Sequence, residues 1–220
     1  MNNSSPEKSA PRGRLFVVAA PSGAGKTSLV KALLKRRPQL RLSVSHTTRK
    51  PRPTEAEGRE YFFVAVDKFR ELAHDQQFLE HAQVFDNHYG TGRAPVEADL
   101  AQGRSVILEI DWQGARQVRA SLPECVTIFI LPPSRGALEK RLRDRRTESD
   151  AAIARRLADA VGDMSHWNEF DYVVVNDVFD RALEELTRIV DSKGEALRAH
   201  RPALIPLLAE LLACVPPHSL

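Results

Sequence analysis

The sequence predicts an α/β fold, a phosphate-loop parallel sheet with helices on both faces. Three observations predict it. Short continuous apolar runs alternate with helical patterns, the first run leads into a glycine-rich turn ending Gly25-Lys26-Thr27, and apolar (42%) and charged (28%) fractions are those of a globular chain. The run Leu15-Phe16-Val17-Val18-Ala19-Ala20 lacks the polar alternation of a half-buried strand and reads as one covered on both faces. Residues 106–110, 126–131 and 172–175 repeat the pattern. Helical patterns over residues 26–37, 96–102, 113–120, 138–146, 151–164 and 181–198 separate them, which implies right-handed βαβ units. In the first, Leu29, Val30, Leu33 and Leu34 form one stripe and Pro38 stops the helix.

Two stretches break this rhythm. Residues 43–92 hold short strand-like pieces around a polar loop and read as a small mixed insertion. Residues 134–156 are basic: Arg135, Lys140, Arg141, Arg143, Arg145, Arg146, Arg155 and Arg156 outnumber Glu139, Asp144, Glu148 and Asp150. A length of 220 residues suits one domain with such insertions. The net charge of +3 is too small to argue for nucleic acid. No apolar run approaches the ~20 residues of a membrane helix. Residues 1–13, rich in Ser, Pro, Asn and charge, read as a disordered leader without the apolar stretch of a signal peptide. Cys125 and Cys214 are too few for a disulfide framework or a four-thiolate zinc site, and their scarcity fits a cytoplasmic protein. They read as small buried or partly buried thiols without chemistry.

After the first strand come Ala20, Pro21, Ser22, Gly23, Ala24, Gly25, Lys26, Thr27 and Ser28, then a helix. The pattern G-x-x-x-x-G-K-[ST] is met except for Ala20 at its first glycine. Gly23 and Gly25 let the backbone wrap an anion, and the helix start offers free N–H groups and a positive dipole end. Lys26 supplies charge to the β- and γ-phosphates of a nucleotide, and Thr27 a hydroxyl for Mg²⁺. Asp111, at the end of the run 106–110, is either a carboxylate at the ligand-binding edge of the sheet or the N-cap of the helix that follows.

The next segments identify the kind of phosphate-loop protein. Ser43-Val44-Ser45-His46-Thr47-Thr48-Arg49-Lys50-Pro51-Arg52, Gly58-Arg59-Glu60-Tyr61-Phe62-Phe63, Phe78-Leu79-Glu80-His81-Ala82, Tyr89-Gly90-Thr91, Ile110-Asp111-Trp112-Gln113-Gly114, Leu131-Pro132-Pro133-Ser134 and Val175-Asn176-Asp177 follow in order. In these motifs the chain resembles guanylate kinase of the bacterial type, from about residue 15 to about residue 198. The chemistry is readable beside the resemblance. Arg49 and Arg52 flank Pro51, and two guanidinium forks clamp a phosphate monoester better than lysines do. Guanine presents N1–H and N2–H₂ donors, which a carboxylate accepts together.

The resemblance implies a division into a core (residues 14–42, 92–134 and 170–200), a GMP-binding subdomain (43–91), a lid (135–169) and an extension (201–220) outside the resemblance. It implies that Arg49, Arg52, Tyr61 and Tyr89 hold the GMP phosphate. Glu80 then reads the base, assisted by Asp111 and the hydroxyls of Ser45 and Thr91; from the residues alone Glu80 is equally the exposed phase of an alternating strand. Residues Ala20 to Ser28 and Asn176 bind ATP. Lys26, Arg49, Arg141, Arg145 and Arg156 carry catalysis, with Arg141 and Arg145 one turn apart on a predicted helix. Mg²⁺ is the implied cofactor, held at Thr27 with Asp111 behind it. ATP and GMP, with dGMP as a further acceptor, are the partners; neither nucleic acid nor membrane is expected, and both monomer and homo-oligomer stay open. Thr54, Glu109, His88 and Arg146 depart from the family pattern. Two rivals stand beside this reading. A phosphopeptide-binding module of the same ancestry is disfavoured by the intact Gly25-Lys26-Thr27, and a sugar-phosphate kinase by Glu80 beside Ser45 and Thr91. The run 207–212 reads as a short amphipathic helix packed on the core or on a partner subunit.

Overall fold

A computed structural model describes residues 12–84, 86–144 and 150–213. Five strands, β1 (Leu15–Ala19), β2 (Arg41–Leu42), β7 (Val106–Glu109), β8 (Val126–Leu131) and β9 (Tyr172–Val175), form one sheet in the order β2-β7-β1-β8-β9. Every pairing in it is parallel. The central strand is covered on both faces, and its side chains alternate between two cores. Phe16 and Val18 pack with Leu29, Val30 and Leu33 of α1 (Lys26–Arg36) and Leu183, Leu186 and Ile189 of α7 (Phe179–Val190). Leu15, Val17 and Ala19 face Val96 and Leu100 of α3 (Arg93–Ala101), Ala115 and Val118 of α4 (Trp112–Ser121) and Leu138 of α5 (Arg135–Arg143). Each large side chain buried this way contributes on the order of 1.5–3 kcal/mol.

A second, smaller sheet is inserted after β2. Strands β3 (Ser45–Thr47), β4 (Tyr61–Phe63), β5 (Phe78–Val84) and β6 (Asn87–Gly92) run in the order β4-β3-β6-β5, with α2 (Val66–His74) beside them. Its small core is aromatic: Phe69 stacks on His88, and its ring centroid lies 4.7 Å from that of Phe78.

Beyond β8 lie α5 and α6 (Asp150–Met164), and the chain ends on α8 (Ile205–Leu212). Leu208 and Leu211 of α8 join the same core as Ala160 and Met164 of α6. Arg135 donates to the carbonyls of Leu211 (2.9 Å) and Ala213, closing the end of α8 against the start of α5. The predicted tail helix is therefore packed on the core.

Two helices end earlier than their sequence expectation, and two elements were not expected at all. The last long helix stops at Val190 instead of residue 198, because Ser192 turns the chain at φ 62° and a short 3₁₀ turn follows. The helix expected to reach residue 146 ends at Arg143, and residues 145–149 lie outside the described ones. Strand β2 and helix α2 were not expected. The expected leader (residues 1–13) lies outside the described residues up to residue 11, as does Cys214.

Candidate active site

Four connections leave the carboxyl ends of β1, β7, β8 and β9 side by side, where ligands bind in open α/β sheets. The first is the phosphate loop. Gly23 and Gly25 have φ 88° and 93°, a left-handed backbone that glycine adopts without strain. A Cβ on Gly25 would also stand 2.4 Å from the Asn176 amide nitrogen. Ala20 has no positive φ, so the missing first glycine costs the loop nothing. Residues 20–28, apart from the buried Ala24, line a shallow hollow of about 230 Å³. The Ala24 carbonyl accepts from Asn176 Nδ2 at 2.7 Å and from Arg141 at 3.4 Å; Arg141 also donates to the Asn176 carbonyl at 2.8 Å. Asn176 and Arg141 thus brace the loop from behind.

Lys26 opens α1 and donates from Nζ to the Ile110 carbonyl at 2.6 Å. Burial lowers its pKa, against the pull of Glu109, Asp111, Asp163 and Glu80. Thr27 donates its hydroxyl proton to Glu109. Asp111 accepts from the Gly114 N–H at 2.7 Å and caps α4, so it sits at the sheet edge and is a helix cap at once.

A second cleft of about 250 Å³ adjoins the first and shares Lys26 with it; Ser45, Tyr61, Glu80, Tyr89 and Asp111 line it. Glu80 is 4% exposed. Its carboxylate accepts from the Thr91 hydroxyl at 2.5 Å, and Ser45 lies 3.4 Å from the same hydroxyl. Burial pushes the Glu80 pKa up to about 7, with Asp111 adding to the shift and Thr91 and Lys26 opposing it. At the other end the Arg49 guanidinium lies over the Tyr61 ring at 5.4 Å, and Tyr61 and Tyr89 meet edge to face at 5.9 Å. Both Glu55 oxygens accept from Arg49, at 2.8 and 2.9 Å, and one also accepts from the Arg52 backbone N–H at 2.8 Å. Burial works against the Arg49 charge, but Glu55 and Tyr89 outweigh it and the pKa is raised. One cleft therefore has a buried carboxylate among hydroxyls and two phenols in its lining, with the Arg49 guanidinium stacked behind Tyr61. That arrangement suits a flat heterocycle carrying a phosphate.

The family model described as guanylate kinase matches residues 12–193. This chain belongs to the guanylate kinase family. It is 53% identical over 201 residues to the guanylate kinase of Methylococcus capsulatus, covering 91% of this chain and 98% of the relative. It is 50% identical over 204 residues to that of Escherichia coli K12, covering 92% and 99%. A crystal structure of guanylate kinase from Anaplasma phagocytophilum superposes with a TM-score of 0.69 at 32% identity, covering 90% of this chain and 95% of that one.

Within this guanylate kinase fold most residues singled out in the sequence gather at the two clefts. Arg52 stands apart: its side chain is 72% exposed and its guanidinium is 4.0 Å from Glu55. Arg156 is half-buried on α6. Arg145 lies outside the described residues. Asn176 touches the loop backbone, and the carboxylate on Thr27 is that of Glu109, two residues before Asp111. Sequence reasoning gave no role to Glu55, Glu109 or Gly114. Glu55 had a signal, since it stands three residues after Arg52 in the same turn, where its own N–H donates to the Arg52 carbonyl at 3.0 Å. Burial leaves Cys125 with a pKa pushed up to about 11, an inert thiol.

Proposed function

We propose that this chain transfers the γ-phosphoryl group of ATP to GMP, giving ADP and GDP, within cytoplasmic guanine-nucleotide recycling. The observation that carries the reading is the pair of adjoining clefts that share Lys26, one ringed by loop amides and the other holding Glu80 beneath Ser45 and Thr91. The ATP phosphates belong in the first, cradled by residues 20–28. GMP belongs in the second, with its base donors on Glu80 and Asp111 and its phosphate on Arg49, Tyr61 and Tyr89. Arg52 would swing in from solvent to complete the clamp. dGMP is accepted as well, since none of these groups addresses the ribose.

The acceptor phosphate is already a nucleophilic anion near neutral pH, so the protein's task is positioning and charge neutralisation. Lys26 would leave the Ile110 carbonyl for the β/γ oxygens. Arg145 and Arg156 would close from the lid and, with Arg141 already at the loop, spread the charge of the transferring group. The Thr27 hydroxyl beside the Glu109 carboxylate is a hard oxygen set of the type Mg²⁺ takes. Thr27 would hold the ion and Glu109 orient it, while Asp111 remains on the Gly114 N–H. When bound, Mg²⁺ offsets negative charge on the β- and γ-phosphates.

Label transfer tests this. With ATP carrying ³²P at the γ position and unlabelled GMP, the label should appear on the terminal phosphate of GDP. Label released only as inorganic phosphate would overturn the assignment.

A further inference from the structure

We propose that α4 acts as a ruler for the guanine-reading carboxylates, with Gly114 and Gln117 as its positioning residues. The proposal rests on the assignment of Glu80 and Asp111 to the base. Those two carboxylates come from different parts of the fold: Asp111 caps a core helix, whereas Glu80 belongs to β5 of the inserted sheet. Their spacing must match the guanine edge, so something must hold β5 in register with α4.

Asp111, Gly114 and Gln117 are spaced three apart, so Gly114 neighbours Asp111 on one side and Gln117 on the other. Gly114 serves both carboxylates. Its N–H donates to Asp111, and a Cβ in its place would stand 2.6 Å from Glu80 Oε2. Only a residue without a side chain lets the Glu80 carboxylate lie against the helix. Gln117, one turn on, fixes the strand itself. Its Oε1 accepts from the His81 N–H at 3.0 Å, and its Nε2 donates to the His81 carbonyl at 2.9 Å. The amide orientation is forced, because a backbone N–H requires an acceptor and a carbonyl a donor. Strand β5 is the edge of its sheet, so the groups of His81 that point away from β6 have no neighbouring strand. Gln117 takes the place of that strand at one residue, directly beside Glu80.

The test uses the full chain. Gln117→Leu removes both bonds at an exposed position, and Gly114→Ala inserts the Cβ while favouring the helix. Gln117→Leu should raise KM for GMP roughly 5- to 30-fold, the cost of two neutral hydrogen bonds, and Gly114→Ala should raise it as well, by pushing the Glu80 carboxylate off the helix. KM for ATP and kcat should stay within about twofold. IMP lacks the 2-amino group that Asp111 and Glu80 share, so the preference for GMP over IMP, as a ratio of kcat/KM values, should also fall. General weakening of the fold would lower both acceptors together. Gln117→Glu keeps the acceptor for the His81 N–H but turns a carboxylate oxygen toward the His81 carbonyl; it should give a loss of the same kind and decides the matter if Gln117→Leu does not fold. Wild-type KM and preference in these variants, or equal losses toward ATP, would overturn the proposal. Glu80→Gln, run in parallel, separates the two claims: unchanged GMP use there removes the base assignment itself, whatever Gln117 does.

Discussion

Burial holds the Glu80 carboxyl near a pKa of about 7, although Thr91 and Lys26 favour its charge. Two consequences have opposite signs. Guanine donors need the ionised form, so GMP binding should strengthen as pH rises from 6 toward 7 and level off above. Glu80→Gln should lose that dependence along with most GMP use, leaving only the titration of GMP's own phosphate. In the unfolded chain the same carboxyl ionises near 4.5, so the folded state holds the extra proton between about 4.5 and 7. Raising pH through that window costs stability, and the cost is complete above it. Glu80→Gln should then be more stable than the parent at pH 8, on the order of 1–3 kcal/mol by urea denaturation, with the gain fading by pH 5. A gain that grew toward acid would contradict the buried carboxylate. Lys26→Ala makes a separate point. It removes the bond to the Ile110 carbonyl, worth about 1 kcal/mol, but should lower kcat by a factor on the order of 10² or more. Near-normal turnover in that variant would remove the phosphate loop from the chemistry.

At the scale of elements, legibility followed locality. Strands β1, β7, β8 and β9 and helix α1 were readable because burial on both faces, or on one stripe, is written in consecutive residues. Strand β2 was not, since its two residues are exposed and pair through the backbone alone. Helix α2 buries only Phe69, too little to set a period. Helix α7 was read too long because Leu197 continues the apolar pattern of Ile189 after the chain has already turned at Ser192. The phosphate loop is contiguous and was legible in full. The Glu80–Gly114 contact was not, because it joins distant segments and depends on a side chain that is missing. The tail is testable at this scale. Leu211 is fully buried in the core that includes α6, so Leu211→Ala should cost about 2–5 kcal/mol. A change below about 0.5 kcal/mol in thermal or urea unfolding would mean that α8 is not part of the core.

The molecule as a whole places one helix under three structures. Helix α4 carries Asp111 at its start, docks β5 through Gln117, and meets the end of α6 and the turn after it through Trp112. That ring stacks on His166 and donates to Asp163 at 3.1 Å, while Arg116 forms a two-point pair with Glu169 at 3.0 and 2.6 Å. The edge of the parallel sheet, the inserted sheet and the end of α6 thus meet around one helix. Among the described residues no helix is long and apolar enough to cross a membrane. The central claim is that the second cleft selects guanine as phosphoryl acceptor, and a panel of acceptors tests it most directly. Initial rates of ADP formation with GMP, AMP, UMP and CMP at fixed ATP and Mg²⁺ should favour GMP in kcat/KM by a factor on the order of 10³ or more, because a site built from buried polar groups rejects bases that leave them unpaired. Comparable rates with AMP, or with a pyrimidine acceptor, would contradict it.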